Sequence, residues 1–91
     1  MFSRFLVLLM MFSSFILNAE NIDNGTQKQT FNNGNPKYEI SYKNKLKHGK
    51  ETFWYESGKK KMESNFINGI EEGPWTQWHS NGQIKLEVIY K

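Results

Sequence analysis

Glycines recur at 34, 58 and 82, a step of 24 residues, and other side chains travel with them. Lys37, Lys61 and Lys85 keep the same step, as do Glu39, Glu63 and Glu87. So do Tyr42, Phe66 and Tyr90, and the ring slot filled by Phe31, Tyr55 and His79. Between them Gly49 pairs with Gly73, Thr52 with Thr76, and Trp54 with Trp78. A chain that repeats this tightly folds as one supersecondary unit laid down several times, each burying its apolar surface against the next.

Inside the unit the period is two. Tyr38, Ile40 and Tyr42 alternate with Lys37, Glu39 and Ser41, and Ile84, Leu86, Val88 and Tyr90 alternate with Lys85, Glu87 and Ile89. That is the signature of half-buried strands. Asn33-Gly34, Ser57-Gly58 and Asn81-Gly82 are dipeptides that suit two-residue type I′ turns. Longer glycine-bearing connections, Asn44–Gly49 and Asn68–Gly73, join one hairpin to the next. The expected fold is all-β: a single antiparallel meander of about six strands, near 26–31, 37–43, 50–55, 60–67, 74–79 and 84–90, with no helix.

Counting outward from two-residue turns sets a register. It places Trp54 opposite Lys61, Phe53 opposite Met62, Trp78 opposite Lys85 and Trp75 opposite Val88. One face then collects Tyr38, Ile40, Tyr42, Phe53, Tyr55, Met62, Phe66, Trp75, Ile84, Leu86, Val88 and Tyr90. So many large side chains on one side of a sheet, with no helix to cover them, exceed what a monomer ordinarily exposes. The expected contact residues for a partner are Tyr38, Tyr42, Phe53, Tyr55, Phe66, Trp75 and Tyr90. Ile84–Tyr90 is β-prone and carries two charges, so it reads as an open edge suited to strand addition or face-to-face association. The opposite face carries Trp–Lys and Thr–Glu pairs. Lysine stems lying on Trp54 and Trp78 account for these pairs structurally. A Trp54–Trp78 stripe for sugar rings or peptides is the functional alternative.

No catalytic, cofactor or metal site emerges. Glu39, Glu63 and Glu87 fall on alternate strands, about 9.5 Å apart at ~4.8 Å per strand, and their repetition points to a ladder with Lys37, Lys61 and Lys85. His48, in a connecting loop, and His79, in the ring slot, stand at non-equivalent points of the repeat and form no zinc pair. Glu71-Glu72 is far short of a calcium cage. With no cysteine, thiolate metal sites, redox motifs and cysteine nucleophiles are excluded.

The first 19 residues have another character. Met1–Arg4 carries one positive charge, Phe5–Leu17 none, and Leu17-Asn18-Ala19 precedes a sharp polar turn at Glu20. That is the order of a secretory signal. A membrane span is the alternative, but 13 residues cover only about 20 Å as helix against a hydrocarbon core of ~30 Å. The expected division is 1–19 signal peptide, 20–29 linker with the start of the first strand, and 30–91 repeat domain of about two and a half repeats. The expected destination is the periplasm or the exterior, and the membrane is met only through the transient signal.

Beyond Ala19 only 20 of 72 residues are apolar, and ten of those are aromatic. Such a chain is too rich in rings for a disordered tail and too poor in aliphatics for a large core. Its 11 lysines against 9 acidic residues give no basic face for nucleic acid.

The pattern of a ring, then Asn-Gly, Lys and Glu, followed by an Asn-containing loop, Gly and Trp, resembles the bacterial variant of the MORN repeat over about Thr30–Lys91. Glu51 departs from it where the next unit has Trp75, as does Lys45 where the next has Gly69. The resemblance implies a non-enzymatic module for protein–protein contacts, sometimes at membranes. It also brings a label, antitoxin of the YwqK family, under which the same surface would block a toxic partner. The expected function is binding another protein, or a second copy, through the aromatic face or the open edge.

Overall fold

A computed structural model describes residues 23–91; the signal expected over 1–19 lies outside them. The fold is all-β, as the alternation dictates, and no helix occurs among the described residues. Seven strands form one antiparallel sheet: β1 Gly25–Thr30, β2 Pro36–Lys43, β3 Leu46–Trp54, β4 Lys60–Ile67, β5 Ile70–Glu71, β6 Gly73–Trp78 and β7 Ile84–Tyr90. Their order is β1-β2-β3-β4-β6-β7, with β5 and β6 both on β4, so the hairpins follow one another across the sheet as a meander.

The two kinds of connection are the reverse of the expected ones. Leu46–Gly49 and Ile70-Glu71, expected in loops, are strand, and the links before them are tight. Lys43 faces Leu46 across Asn44-Lys45, and Ile67 faces Ile70 across Asn68-Gly69. All four loop residues have positive φ, 52° and 68° in the first, 50° and 84° in the second, which makes these the type I′ turns. The Asn-Gly and Ser-Gly sites are longer. Gly34 N donates to Phe31 O at 3.0 Å and Phe31 N to Asn35 O at 2.8 Å, a type I turn followed by a left-handed glycine. The same pair of bonds recurs at Tyr55–Lys59 and His79–Gln83. The residue before each glycine acts through its side chain: Asn33 Oδ1 and Asn81 Oδ1 each accept the backbone N–H two residues on at 2.9 Å.

The longer turns change the register beside them. Trp54 faces Lys60, whereas Phe53 faces Met62, so Lys61 is an extra residue and the strand bulges there. Lys37 and Lys85 occupy the same place in β2 and β7. The repeated lysine is therefore the bulge residue. It does not lie on tryptophan: Lys37 Nζ sits 5.7 Å from the Phe31 ring and Lys61 Nζ 5.7 Å from the Tyr55 ring. From Phe53–Met62 and Gln77–Leu86 outward, the pairs that the counting gave are the ones observed.

No apolar side chain is fully buried among the described residues. The buried ones are Glu51, Thr52, Ser64 and Thr76, short or polar groups in the middle strands. A lone sheet with two open faces has no interior, so cross-strand pairs at about 0.2–1 kcal/mol each take the place of a core.

Candidate interaction surface

Residues facing each other across antiparallel strands share a face of the sheet. One row near the longer turns runs Tyr38–Phe53–Met62–Gln77–Leu86. The next runs Ile40–Glu51–Ser64 and continues in the same register to Trp75–Val88. The third holds Tyr42, Phe66 and Tyr90, each facing a glycine: Gly25, Gly49 and Gly73. Of the expected contact residues, Tyr38, Tyr42, Phe53, Phe66, Trp75 and Tyr90 thus share one face. Tyr38 and Phe53 pack ring to ring at 5.7 Å, and most of these rings are half-buried. Tyr55 does not belong to a row. It starts the second longer turn, where its hydroxyl donates to Trp78 O at 2.7 Å and ties that turn to the third hairpin. Ile84 leaves the expected face as well: the bulge at Lys85 sets it opposite Trp78.

The centre of the ring-bearing face is polar. Glu51 is 6% exposed, and its carboxylate forms an ion pair with Lys47, whose ammonium also lies 5.0 Å from the Phe66 ring. Ser64 faces Glu51 with its hydroxyl unbonded. Glu51, Phe53, Lys61, Met62 and Gln77 line a shallow depression there. Counting strand positions gave Glu51 no role beyond an exception to the repeat. The signal lay in the repeat itself, since Ser64 occupies the position held by Ile40 and Val88. At the rim, the neighbouring Glu71 carboxylate holds the Tyr90 phenol above its ordinary pKa.

The opposite face carries Trp54, Lys60, Trp78 and Ile84 in one row and Lys28–Glu39–Thr52–Glu63–Thr76–Glu87 in the next. Lys60 Nζ lies 5.9 Å from the Trp78 ring and 2.8 Å from Glu63. The glutamates form a ladder, but their lysines are Lys28, Lys50 and Lys60, not the bulge lysines expected. His48, expected in a loop, lies in β3, where its Nδ1 accepts the Asn68 N–H at 3.2 Å. Among the described residues no three His, Asp or Glu side chains group as metal ligands.

The hairpins β1–β2, β3–β4 and β5/β6–β7 are three copies of one arrangement. A scan of family profiles finds the same three units: the MORN repeat variant matches residues 23–44, 47–68 and 71–91. The first begins ahead of Thr30, where the recurring ring and glycine had placed the start. Neither the curated proteins nor the solved structures compared with the chain include a match. With three matched units spanning most of its length, the chain belongs to the MORN repeat variant family.

Proposed function

We propose that this chain is a binding module for another protein, with the ring-bearing face as its contact surface. MORN repeats commonly serve as protein-interaction modules, and the family is generally non-catalytic. The observation that carries the proposal is the row structure of that face. Tyr38, Phe53 and Met62, then Tyr42, Phe66 and Tyr90, stand side by side with no other element of the described chain above them. Rings supply large contact area at little conformational cost, and the Glu51–Lys47 pair at the centre gives a partner a polar feature to match.

The module acts outside the cytoplasm, on the strength of the signal-like order of Met1–Ala19. A partner-blocking role, as for an immunity protein, would use this same face. An adjacent reading frame that is toxic alone and silenced by this chain would establish it. Sugar binding by Trp54 and Trp78 is the weaker alternative, since Lys60 already lies by the Trp78 ring.

The test is quantitative capture from extracts of the producing cells, with membrane and soluble fractions kept apart. Phe53→Ser and Trp75→Ser change the ring-bearing face; Trp54→Ser and Trp78→Ser change the other. One stoichiometric protein lost with the first pair and kept with the second supports the proposal. Equal loss with both pairs, while circular dichroism shows every variant folded, overturns it.

A further inference from the structure

We propose that β7 of one molecule pairs with β1 of a second copy, head to tail, continuing the sheet in the register the chain already uses internally. Unlike the face-binding proposal, this one concerns the edges of the sheet, so either can fail alone.

Three observations lead here. The first is equivalence of the edges. β2, β4 and β7 hold the same place in successive repeats, as do β1, β3 and β6. Tyr38 faces Phe53 where β2 meets β3, and Met62 faces Gln77 where β4 meets β6. One repeat on, the strand equivalent to β2 and β4 is β7, and within the described residues it pairs with β6 alone. The strand equivalent to β3 and β6 that pairs on one side only is β1. Carrying the register forward sets Leu86 opposite Gln29 of the second copy, and Glu87 opposite Lys28.

Charge is the second. Glu39 has Lys28 at 3.9 Å, and Glu63 has Lys60 at 2.8 Å and Lys50 at 4.0 Å. Glu87 is the member of this ladder with no ion pair among the described residues; its contact is the Thr76 hydroxyl at 3.3 Å. The junction brings it the lysine its equivalents have.

The third is backbone shape. Against β2, the register of β3 slips between Ile40–Glu51 and Tyr42–Lys47, and Gly49 at φ 98° lies in the slip. Against β4, Gly73 at φ 79° lies in the matching one. Gly25 stands at the equivalent point of β1 with φ 118°, already shaped for a strand on its free side. A β7 edge supplies that strand, and it covers Leu86 and Ile89, which are 48% and 57% exposed. Such a contact is heterologous, so it grows into open chains or closes as a ring.

The absence of native cysteine makes the test direct. Leu86→Cys and Gln29→Cys are made as separate full-length variants, recovered as the producing cell leaves them, and mixed with a short thiol–thiol cross-linker. The expected result is a cross-linked pair in the mixture, little in either variant alone, and a ladder from the double variant. Cross-linking of Leu86→Cys alone to the same extent would mean β7 meets β7 and overturns the proposal. So would no cross-link in the mixture. Charge exchange checks the register: Glu87→Lys and Lys28→Glu each weaken association by roughly two- to thirty-fold, and mixing them restores it. Failure of the mixture to recover, with both variants folded, also overturns the proposal. Gln29 and Leu86 end the Tyr38–Phe53 row at the two edges of the sheet, and neither experiment alters a ring of that face.

Discussion

Replacing Ser64 should stabilise this protein. The side chain is 1% exposed at the middle of the sheet, and its hydroxyl has no hydrogen-bond partner. A buried polar group left unpaired costs about 1–3 kcal/mol. The repeat shows what else fits: Ile40 and Val88 hold the equivalent places, both β-branched and apolar. Ser64→Ala removes the hydroxyl and nothing more, so it should gain about 1 kcal/mol. Ser64→Val adds methyl groups beside Glu51 and Trp75, at about 0.8 kcal/mol per buried carbon where space allows, and a better strand former. It should therefore gain somewhat more, about 1–3 kcal/mol. For a domain of this size each kcal/mol moves the melting temperature by about 4–8 °C. Thermal and urea unfolding followed by circular dichroism would measure both variants, and an unchanged urea slope would show that stability changed without a change in the surface exposed on unfolding. A loss of 1 kcal/mol or more in Ser64→Ala refutes the reasoning. It would mean the hydroxyl is paired, most simply with the Glu51 carboxylate across the strand.

Lys47→Met leaves the Glu51 carboxylate buried without its cation. Losing one partner of a fully buried pair costs about 3–5 kcal/mol. Lys47 is 38% exposed, so water screens the charge and about 1–2 kcal/mol is expected, read from the urea midpoint. Most of that loss should return in Lys47→Met/Glu51→Gln. At the type I′ turns, Lys45 holds φ 68° where its equivalent is Gly69 at 84°. Lys45→Gly should gain about 0.5–1 kcal/mol and Gly69→Ala lose about 1 kcal/mol, since a Cβ in this region costs roughly 1–2 kcal/mol and glycine returns part of that as entropy. Glu71→Gln should bring Tyr90 ionisation down toward the ordinary tyrosine value, seen in an NMR titration of its ring. Because the folded value is the raised one, the unfolded chain ionises first, and this contribution to stability disappears as pH rises past the ordinary tyrosine range.

Much of this fold was legible because the alternation of Tyr38, Ile40 and Tyr42 and the 24-residue step are properties of side chains, which the sequence displays. The turns were not, because Asn-Gly serves two geometries. At Asn33-Gly34 only the glycine is left-handed and the asparagine works through its side chain; at Asn68-Gly69 both residues are left-handed. The dipeptide is the same, and what differs is the number of residues the flanking strands leave between them. The one-residue shift of register beside the longer turns made Lys37, Lys61 and Lys85 bulges, turned Ile84 to the tryptophan face and set Lys61 by Tyr55 rather than on Trp54. Farther from the turns the register was correct, so the ring-bearing rows could be counted out in advance. Glu51 and Ser64 at their centre could not, since alternation gives a position's face and not its burial.

The three units are alike in backbone and unlike in side chains, and the difference has a direction. At equivalent points β1 offers Gln27 and Gln29, β3 Glu51 and Phe53, and β6 Trp75 and Gln77; β2 offers half-buried Tyr38 and Tyr42, whereas β7 offers exposed Leu86 and Tyr90. Polar side chains thus collect at the β1 end and uncovered apolar ones at the β7 end. Repeat arrays end stably where a terminal strand presents a polar outer surface, because an unpaired apolar edge invites another strand. By that criterion β7 is the edge that seeks a strand, and β1, polar throughout, offers it backbone groups and Lys28 without an apolar surface of its own. Among the described residues β2, β3, β4 and β6 each have strands on both sides, and β7 has one neighbour. Ile84, Leu86 and Ile89 therefore gain the most from any partner, and the same substitutions there should weaken association far more than they weaken folding. In the central rows the order reverses: with no buried apolar core beneath them, Phe53 and Trp75 both hold the sheet together and face outward. Binding losses at those two positions are interpretable only beside the stability of each variant.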